Sequence, residues 1–267
     1  MSHLLLARVA ANEPLTPGFG LLTLEAPEIA AAAKPGQFVM VRVAPLADPL
    51  LRRAFAVHAA DRERGLILIL YGVVGRGTRL LSQVRAGESL DVLGPLGRGW
   101  RLEAGREAWL VAGGFGAAPL LPLAQEAAAA GTPVRLFYGT RTAAGLIRAG
   151  EFERLGVEVA CATEDGSHGQ KGLVTDLLLP ALMSGGIGPP LTTVYACGPK
   201  PMLAAVARLC AGMGVPCQVS LHAFMGCGIG ACLGCAVERR PVPGEPPNYA
   251  KVCVEGPVFD AQEVSLE

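Results

Sequence analysis

The chain has 267 residues, of which 51% are hydrophobic and 17% are charged, and its formal net charge is zero. This length allows about two domains with an appendage, and the composition supplies enough apolar surface for a large core. A neutral chain lacks the basic surface that nucleic acids and anionic membranes attract, so we expect neither as a partner. Arg8 interrupts the first apolar run, and residues 66–74 are too short to span a bilayer, which predicts a cytoplasmic protein.

Residues 1–104 predict a small antiparallel β barrel. Short apolar runs at residues 36–43, 54–58 and 66–71 alternate with Gly and Pro turn signals. No long helical period interrupts them, which is typical of a small antiparallel barrel.

Residues 105–220 change rhythm and predict an α/β domain. Apolar strands are expected at residues 109–112, 134–138, 157–162 and 193–196. Helices are expected at residues 117–130 and 202–213. Strands that alternate with helices favour a parallel sheet with right-handed crossovers.

Residues 221–267 are rich in Gly, Cys and then Pro, and they predict a small subdomain held together by a metal centre. Four of the eight cysteines lie here, namely Cys227, Cys232, Cys235 and Cys253. Clustered cysteines in a cytoplasmic chain bind metal more often than they form disulfides. The other four, at positions 161, 197, 210 and 217, are scattered and are expected to be small buried hydrophobes.

The spacing of the clustered cysteines predicts a [2Fe–2S] site. Four residues separate Cys227 from Cys232, two separate Cys232 from Cys235, and Cys253 is distant, as in plant-type clusters. The glycines between them let the backbone approach the cluster closely. A structural zinc site with four cysteines is the alternative, although zinc ribbons usually pair two short knuckles.

Arg53, Ala54, Phe55 and Ala56 lie on a predicted barrel strand and resemble the Arg-x-aromatic-Ser/Thr element of ferredoxin-reductase-type flavoproteins. The resemblance implies that Arg53 pairs with the FAD pyrophosphate, for which a guanidinium fork is well suited. It also implies that Phe55 packs beside the flavin. Ala56 replaces the hydroxyl residue of that element, so the corresponding contact must come from backbone or be missing. An ordinary amphipathic strand is the alternative.

A second segment supports the flavin hypothesis. Leu70, Tyr71 and Gly72 end an apolar run, and Gly77 and Thr78 open a predicted helix shortly afterwards. A glycine-rich turn at a helix N-terminus is a natural phosphate site, and Thr78 can cap the helix and bond phosphate. We therefore expect these residues to bind FAD, although they could also form an ordinary capped helix.

Two motifs of the α/β segment predict a nucleotide site. Gly113, Gly114 and Gly116 follow a buried strand and precede a helix, where glycines permit close approach of a pyrophosphate. The turn lacks the full dinucleotide fingerprint. Cys197, Gly198 and Pro199 end the last predicted strand of this domain, where ligands of open α/β sheets bind. We assign both motifs to NAD, and the alternatives are a tight turn and a buried structural cysteine.

Taken in this order, these motifs resemble the electron-transfer subunit of type B dihydroorotate dehydrogenases over nearly the full chain. Further matches occur at residues 163–167, 171–176 and 256–260. The resemblance implies three cofactors, FAD, NAD and [2Fe–2S], and a partner, an FMN-containing catalytic subunit that oxidises dihydroorotate. It also implies a heterotetramer with two subunits of each kind. The family usually differs at three positions, where this chain has Ala54, Ala56 and His222.

Two other functions stay open from sequence. One is the small subunit of an NADH-dependent ferredoxin transhydrogenase or a sulfhydrogenase, which shares the barrel, the nucleotide domain and the cluster. The other is a nucleotide-binding regulatory module stapled by zinc. No residue pattern indicates an acid or base for orotate chemistry, so we expect no catalytic residue in this chain.

Overall fold

The computed structural model describes residues 1–44, 48–184 and 191–266. Within these ranges, no helix is long and apolar enough to cross a membrane. The chain divides into two compact units, and residues of the predicted third segment are shared between them. The first unit is Met1–Gly99 with His222–Ala236 and Lys251–Pro257, and the second is Trp100–Leu221 with Val237–Ala250 and Val258–Glu267.

The first unit is built on a seven-stranded antiparallel sheet in the order β4-β3-β7-β1-β2-β6-β5. Its strands are β1 (His3–Thr16), β2 (Phe19–Glu25), β3 (Phe38–Arg42), β4 (Arg53–Ala56), β5 (Ala59–Asp61), β6 (Leu66–Gly72) and β7 (Ser89–Leu96). Two short helices, α1 (Pro27–Ala32) and α2 (Arg76–Leu81), lie between strands. The antiparallel fold predicted for this segment is confirmed.

Successive side chains of a strand point to opposite faces of the sheet, so the two faces of β3 have different neighbours. Val39 and Val41 of β3 point into the main hydrophobic core of the unit. Met40 lies between them on the opposite face, and it pairs across the strands with Ala54 of β4. The β3–β4 pair therefore has one face on the core and a second face that is free to receive another segment.

The second unit contains a seven-stranded sheet in the order β11-β10-β9-β8-β12-β13-β16. From β8 onward the strands are β8 (Glu107–Gly113), β9 (Val134–Thr140), β10 (Glu158–Thr163), β11 (Gln170–Lys171), β12 (Thr192–Cys197), β13 (Cys217–Ser220), β14 (Ala236–Glu238), β15 (Tyr249–Lys251) and β16 (Val258–Asp260). Neighbouring strands of the seven-stranded sheet are parallel, except that β13 and β16 pair antiparallel with each other. Strands β14 and β15 form a separate two-stranded sheet.

Helices α3 (Leu121–Ala129), α4 (Ala149–Arg154), α5 (Val174–Met183) and α6 (Lys200–Gly212) connect these strands. The predicted helix at residues 117–130 is partly wrong, because Gly114–Leu120 forms a 3₁₀ helix and the α-helix begins only at Leu121. Pro119 has no N–H to donate within a regular helix, whereas Pro122 is tolerated in a first turn. The α/β fold itself is confirmed.

Candidate cofactor sites

The cysteine loop, residues 225–235, brings three of the predicted metal ligands together in the first unit, where Cys253 joins them. The thiols form two neighbouring pairs, Cys227 with Cys232 and Cys235 with Cys253. Backbone N–H groups of Ile229 and Cys232 each donate to the Cys227 sulfur at 3.4 Å. Among the described residues, no three Cys, His, Asp or Glu side chains converge as a single-metal site requires.

The two pairs differ electrostatically. Burial alone raises the pKa of the Cys227 thiol, but hydrogen bonds from the backbone of residues 229, 231 and 232 and from the Cys232 thiol together lower it to about 6. Burial and the adjacent Cys235 thiol raise the pKa of Cys253 to about 12. Cys227 therefore ionises more readily than an ordinary thiol, whereas Cys253 stays protonated at neutral pH.

Two glycines of the loop are required by backbone conformation and by space. Gly228 has φ +76°, and a Cβ there would lie 2.6 Å from Met40 Cγ and 3.3 Å from Leu96 Cδ1. Gly230 has φ +82°, and a Cβ there would lie 2.7 Å from Val254 Cγ2. At Gly228 the cysteine loop therefore lies directly against Met40 of β3 and Leu96 of β7, and at Gly230 it lies against Val254.

These residues fit a binuclear iron–sulfur cluster. Four thiol donors in two pairs match a centre in which each iron takes two protein ligands. Backbone N–H groups already point at the Cys227 sulfur, and such donors stabilise negative charge on ligand sulfurs.

The two arginines before β4 have different environments. Arg52 makes a bidentate ion pair with Asp91, with Nε–Oδ1 at 2.7 Å and Nη2–Oδ2 at 3.0 Å. Arg53 instead lies over the start of α2, where its Nε is 2.8 Å from the position a Cβ on Gly77 would occupy. Only a glycine leaves room for this guanidinium. An arginine fork above a helix start suits a diphosphate, so these residues fit FAD.

The other predicted flavin residues lie on β4, β6 and α2 of the first unit. Phe55 packs edge-to-face on Tyr71, with ring centroids 6.4 Å apart. The Tyr71 hydroxyl donates to Asn12 Oδ1 at 2.9 Å, and burial raises the pKa of Tyr71. Tyr71 points into the core, and Leu70 and Gly72 flank it on β6, so their side-chain positions lie on the opposite face of the strand.

Thr78 and Asn12 fix the ends of α2. The Thr78 hydroxyl accepts hydrogen bonds from the backbone of Gly75 and Val74 at 3.1 and 2.9 Å, and it donates to the Gly75 carbonyl. Asn12 Nδ2 donates to the carbonyls of Leu81 and Val84 at 2.8 and 2.9 Å. Sequence analysis misses Asn12, because its partners lie about 70 residues away and no local pattern records them.

The two nucleotide motifs of the second unit meet at the carboxyl ends of the adjacent strands β8 and β12. A Cβ on Gly116 would lie 1.8 Å from the Cys197 carbonyl oxygen, and one on Gly113 would lie 2.6 Å from Met202 Sδ. Gly114 is different, since it has φ +53° and no atom lies within 4 Å of its Cβ position. The turn is therefore packed on one side and open at Gly114.

Cys197 and Tyr138 serve this turn in different ways. Burial raises the pKa of the Cys197 thiol to about 12, although a hydrogen bond with Ser220 opposes the shift. The thiol therefore stays protonated and is not a nucleophile. The Tyr138 hydroxyl donates to the carbonyls of Gly114 and Gly145 at 3.0 and 3.2 Å, which anchors the turn from below. Sequence analysis misses this role of Tyr138.

An antiparallel sheet with an arginine at a helix start, a parallel α/β sheet and a four-cysteine site define an iron–sulfur oxidoreductase of the ferredoxin-reductase-like fold. Family models match two parts of the chain. Residues 222–265 match the iron–sulfur cluster binding domain of dihydroorotate dehydrogenase B, and residues 110–208 match the oxidoreductase NAD-binding domain.

Curated relatives give the particular family. The chain is 40% identical over its whole length, and over the whole relative, to the dihydroorotate dehydrogenase B (NAD(+)) electron transfer subunit of Desulforamulus reducens. It is 44% identical to the subunit of the same name from Geobacillus thermodenitrificans, with 92% of each chain covered. The chain belongs to the family of dihydroorotate dehydrogenase B (NAD(+)) electron transfer subunits.

A solved structure supports the same fold. The NADH-dependent reduced ferredoxin-NADP oxidoreductase, described in the context of flavin-based electron bifurcation, is 30% identical with a TM-score of 0.85. It covers 98% of this chain and 90% of its own. Together, the matches confirm the predicted family, the fold class and the cofactor set of FAD, NAD and [2Fe–2S]. They do not favour the zinc-stapled regulatory module.

Proposed function

We propose that this chain is the subunit of a dihydroorotate dehydrogenase B that links an FMN-containing catalytic partner to NAD⁺ in pyrimidine biosynthesis. When bound, the [2Fe–2S] cluster and FAD supply one-electron and two-electron transfer, respectively. The observation that carries this proposal is the position of the cysteine loop against β3. Gly228 lies against Met40 of β3, and Met40 pairs with Ala54 of the proposed flavin strand β4. Neighbouring strands lie about 5 Å apart, so thiolates and flavin have a short route between them.

The four proposed metal ligands are Cys227, Cys232, Cys235 and Cys253. Their role is to hold two irons while backbone N–H groups of the loop stabilise negative charge on sulfur. The contacts of Gly228 keep this backbone close to β3 and β7, and those of Gly230 keep it close to Val254 and Lys251. No side chain of the loop acts as an acid or base in this role.

The proposed FAD residues act by position and charge. Arg53 neutralises the diphosphate above Gly77 and Thr78, where the backbone of α2 begins. Ala54, Phe55 and Ala56 form the strand along which the flavin lies, and Leu70, Tyr71 and Gly72 offer backbone groups. Because Ala56 has no hydroxyl, its contact with the flavin is made by backbone alone.

The proposed NAD residues are Gly113, Gly114, Gly116, Cys197, Gly198 and Pro199. Gly114 is the open position of the turn, so a dinucleotide phosphate can approach its backbone without meeting a side chain. The other two glycines keep the turn against the end of β12. Cys197 contributes shape to this site and not a reactive thiolate, because its thiol is fully buried.

The proposed partner surface surrounds the cysteine loop. Phe224, Ile229 and Leu233 are 97%, 58% and 62% exposed, which is unusual for large apolar side chains so close together in sequence. We assign this apolar rim to the FMN-containing catalytic subunit, in a heterotetramer with two subunits of each kind. The clustered free thiols require a reducing compartment, which favours the cytoplasm.

The test is a comparison of Cys232→Ser with Cys161→Ser in the purified full chain. Iron, sulfide and flavin counts and the electron paramagnetic resonance spectrum after dithionite are recorded for both. We expect a rhombic [2Fe–2S] signal in the native chain and in Cys161→Ser, and loss of it in Cys232→Ser with FAD retained. Cys232→Ser should still reduce dyes with NADH but should not exchange electrons with the catalytic partner.

Two results would overturn the proposal. One is a native chain that contains zinc and gives no rhombic signal. The other is oxidation of dihydroorotate by the isolated, FMN-free chain, because no residue here is assigned that chemistry.

A further inference from the structure

Lys251 is a charged side chain that lies against the cysteine loop. The loop itself, residues 225–235, contains no charged side chain. Lys251 ends β15, and its half-buried side chain reaches Gly230. Its Nζ lies 3.6 Å, and its Cδ 3.8 Å, from the position that a Cβ on Gly230 would occupy.

Gly230 connects this ammonium group to one of the proposed ligands. The Gly230 N–H donates a hydrogen bond to the Cys253 sulfur. The three atoms nearest to the Cβ position of Gly230 belong to Val254 and Lys251. The Lys251 ammonium group therefore lies next to Gly230, and the Gly230 N–H donates to the Cys253 sulfur.

A tight turn fixes the distance between Lys251 and Cys253. The Lys251 N–H donates to Glu255 Oε1 at 2.8 Å, and the Lys251 carbonyl accepts from the N–H groups of Val254 and Glu255 at 3.1 and 2.8 Å. Glu255 is thus the acidic group of the same turn, and its carboxylate opposes the Lys251 charge.

We infer that Lys251 raises the reduction potential of the iron–sulfur centre held by the four cysteines, an inference that rests on the proposed function. One-electron reduction adds one negative charge at that centre and no atom. A fixed positive charge stabilises the more negative state, and it does so most where water is partly excluded. Lys251 therefore acts through its charge on the iron–sulfur centre and is assigned no contact with a substrate.

The test is a redox titration of the purified full chain, monitored by the electron paramagnetic resonance signal of the reduced cluster. Lys251→Gln should move the midpoint to a more negative value, with about a tenfold change in the oxidation equilibrium, which is about 59 mV for a one-electron couple. Lys251→Arg keeps the charge and should stay close to the native midpoint. Arg64→Gln is the matched control, because it removes one positive charge from the β5–β6 turn at the far edge of the same sheet order.

The possible failures are distinguishable. A native chain without the rhombic signal would overturn the proposed function and not this inference alone. Equal midpoints for the native chain and Lys251→Gln, with normal iron and sulfide content, would overturn the inference and leave the proposed function intact. Lys251→Met is a second neutral variant. If both neutral variants lose the cluster while Lys251→Arg retains it, Lys251 has a structural role and the inference is wrong.

Discussion

Cys227 in the cysteine loop of the first unit and Cys197 at the end of β12 in the second unit have opposite surroundings. Cys227 is half-exposed and accepts backbone hydrogen bonds, which bring its pKa to about 6. Cys197 is fully buried, and burial raises its pKa to about 12. The difference shows that a cysteine's role follows from the N–H groups around its sulfur as much as from the spacing of the chain.

The glycines of the two regions differ in the same sense. In the cysteine loop, Gly228 and Gly230 adopt positive φ and hold the backbone near side chains that can move. In the glycine-rich turn, residues 113–119, the contact at Gly116 is with the Cys197 carbonyl, which is rigid backbone. In the first region an added methyl group would therefore meet movable side chains, whereas the second region is closed by rigid backbone except at Gly114.

The largest expected difference is in thiol reactivity. In the metal-free chain at pH 7, iodoacetamide should modify Cys227 at least about a hundredfold faster than Cys197, since thiolate content outweighs the lower nucleophilicity of an acidic thiol. The Cys227 rate should rise with pH and reach half its maximum near its pKa of about 6. Mass spectrometry of peptides after timed quenching measures both rates. Equal rates for Cys227 and Cys197 in the folded chain would contradict the electrostatic difference between them. In guanidinium the unfolded chain should show nearly equal rates.

The second effect concerns the closed region. Gly116→Ala places a methyl group 1.8 Å from the Cys197 carbonyl oxygen, so β12 and the turn must separate. We expect destabilisation by about 3 kcal/mol or more, together with loss of NADH-dependent dye reduction. Thermal unfolding of the full chain measures the destabilisation, and an NADH-dependent dye assay measures the loss of activity.

Gly212→Ala is the matched control for that substitution. It adds a methyl group at the last residue of α6, where no atom from another part of the described structure lies within 4 Å, and it should be neutral or stabilising by up to about 1 kcal/mol. A Gly116→Ala chain as stable as the Gly212→Ala chain would show that the turn is not closed by this contact.

The third effect separates two adjacent arginines of the first unit. Arg53→Gln should lower FAD affinity by about tenfold or more, because a charge-assisted contact with phosphate is worth about 1.5–3 kcal/mol. Arg52→Gln breaks the ion pair with Asp91 and should lower thermal stability with little change in bound FAD. The affinity of each variant for FAD is measured by adding FAD to the dialysed, flavin-free chain and recording the flavin fluorescence. Equal loss of FAD in both variants would contradict the assignment of Arg53.

The sequence predicted those parts of the molecule that local patterns record. Ligand spacing identified the four cysteines that the first unit brings into two pairs. The two nucleotide motifs follow buried strands, and because β8 and β12 are neighbours they meet at one edge of the sheet. Their individual roles as cofactor-binding residues stay predictions.

The missed features depend on contacts between distant residues. Asn12 reaches Leu81 and Val84 across two strands, and Tyr138 supports a turn that precedes it by more than 20 residues. Lys251 meets Gly230 only because β15 returns to the loop. The early part of the predicted Ala-rich helix is a 3₁₀ helix instead, because Pro119 outweighs the helix propensity of its neighbours.

The smallest expected effect tests how closely the cysteine loop is held. Gly230 and Gly244 have nearly the same positive φ, +82° and +85°, so Ala at either position costs about 1–2 kcal/mol in backbone strain. At Gly244 no atom lies within 4 Å, whereas at Gly230 the new methyl group meets Val254 Cγ2 at 2.7 Å. Val254 can rotate away at a cost of about 0.5–1.5 kcal/mol, so Gly230→Ala should be less stable than Gly244→Ala by that amount. Thermal unfolding and iron content per chain measure the difference. Two equally stable variants with equal iron would show that the loop tolerates displacement from Val254, which would weaken the fixed geometry on which the Lys251 charge depends.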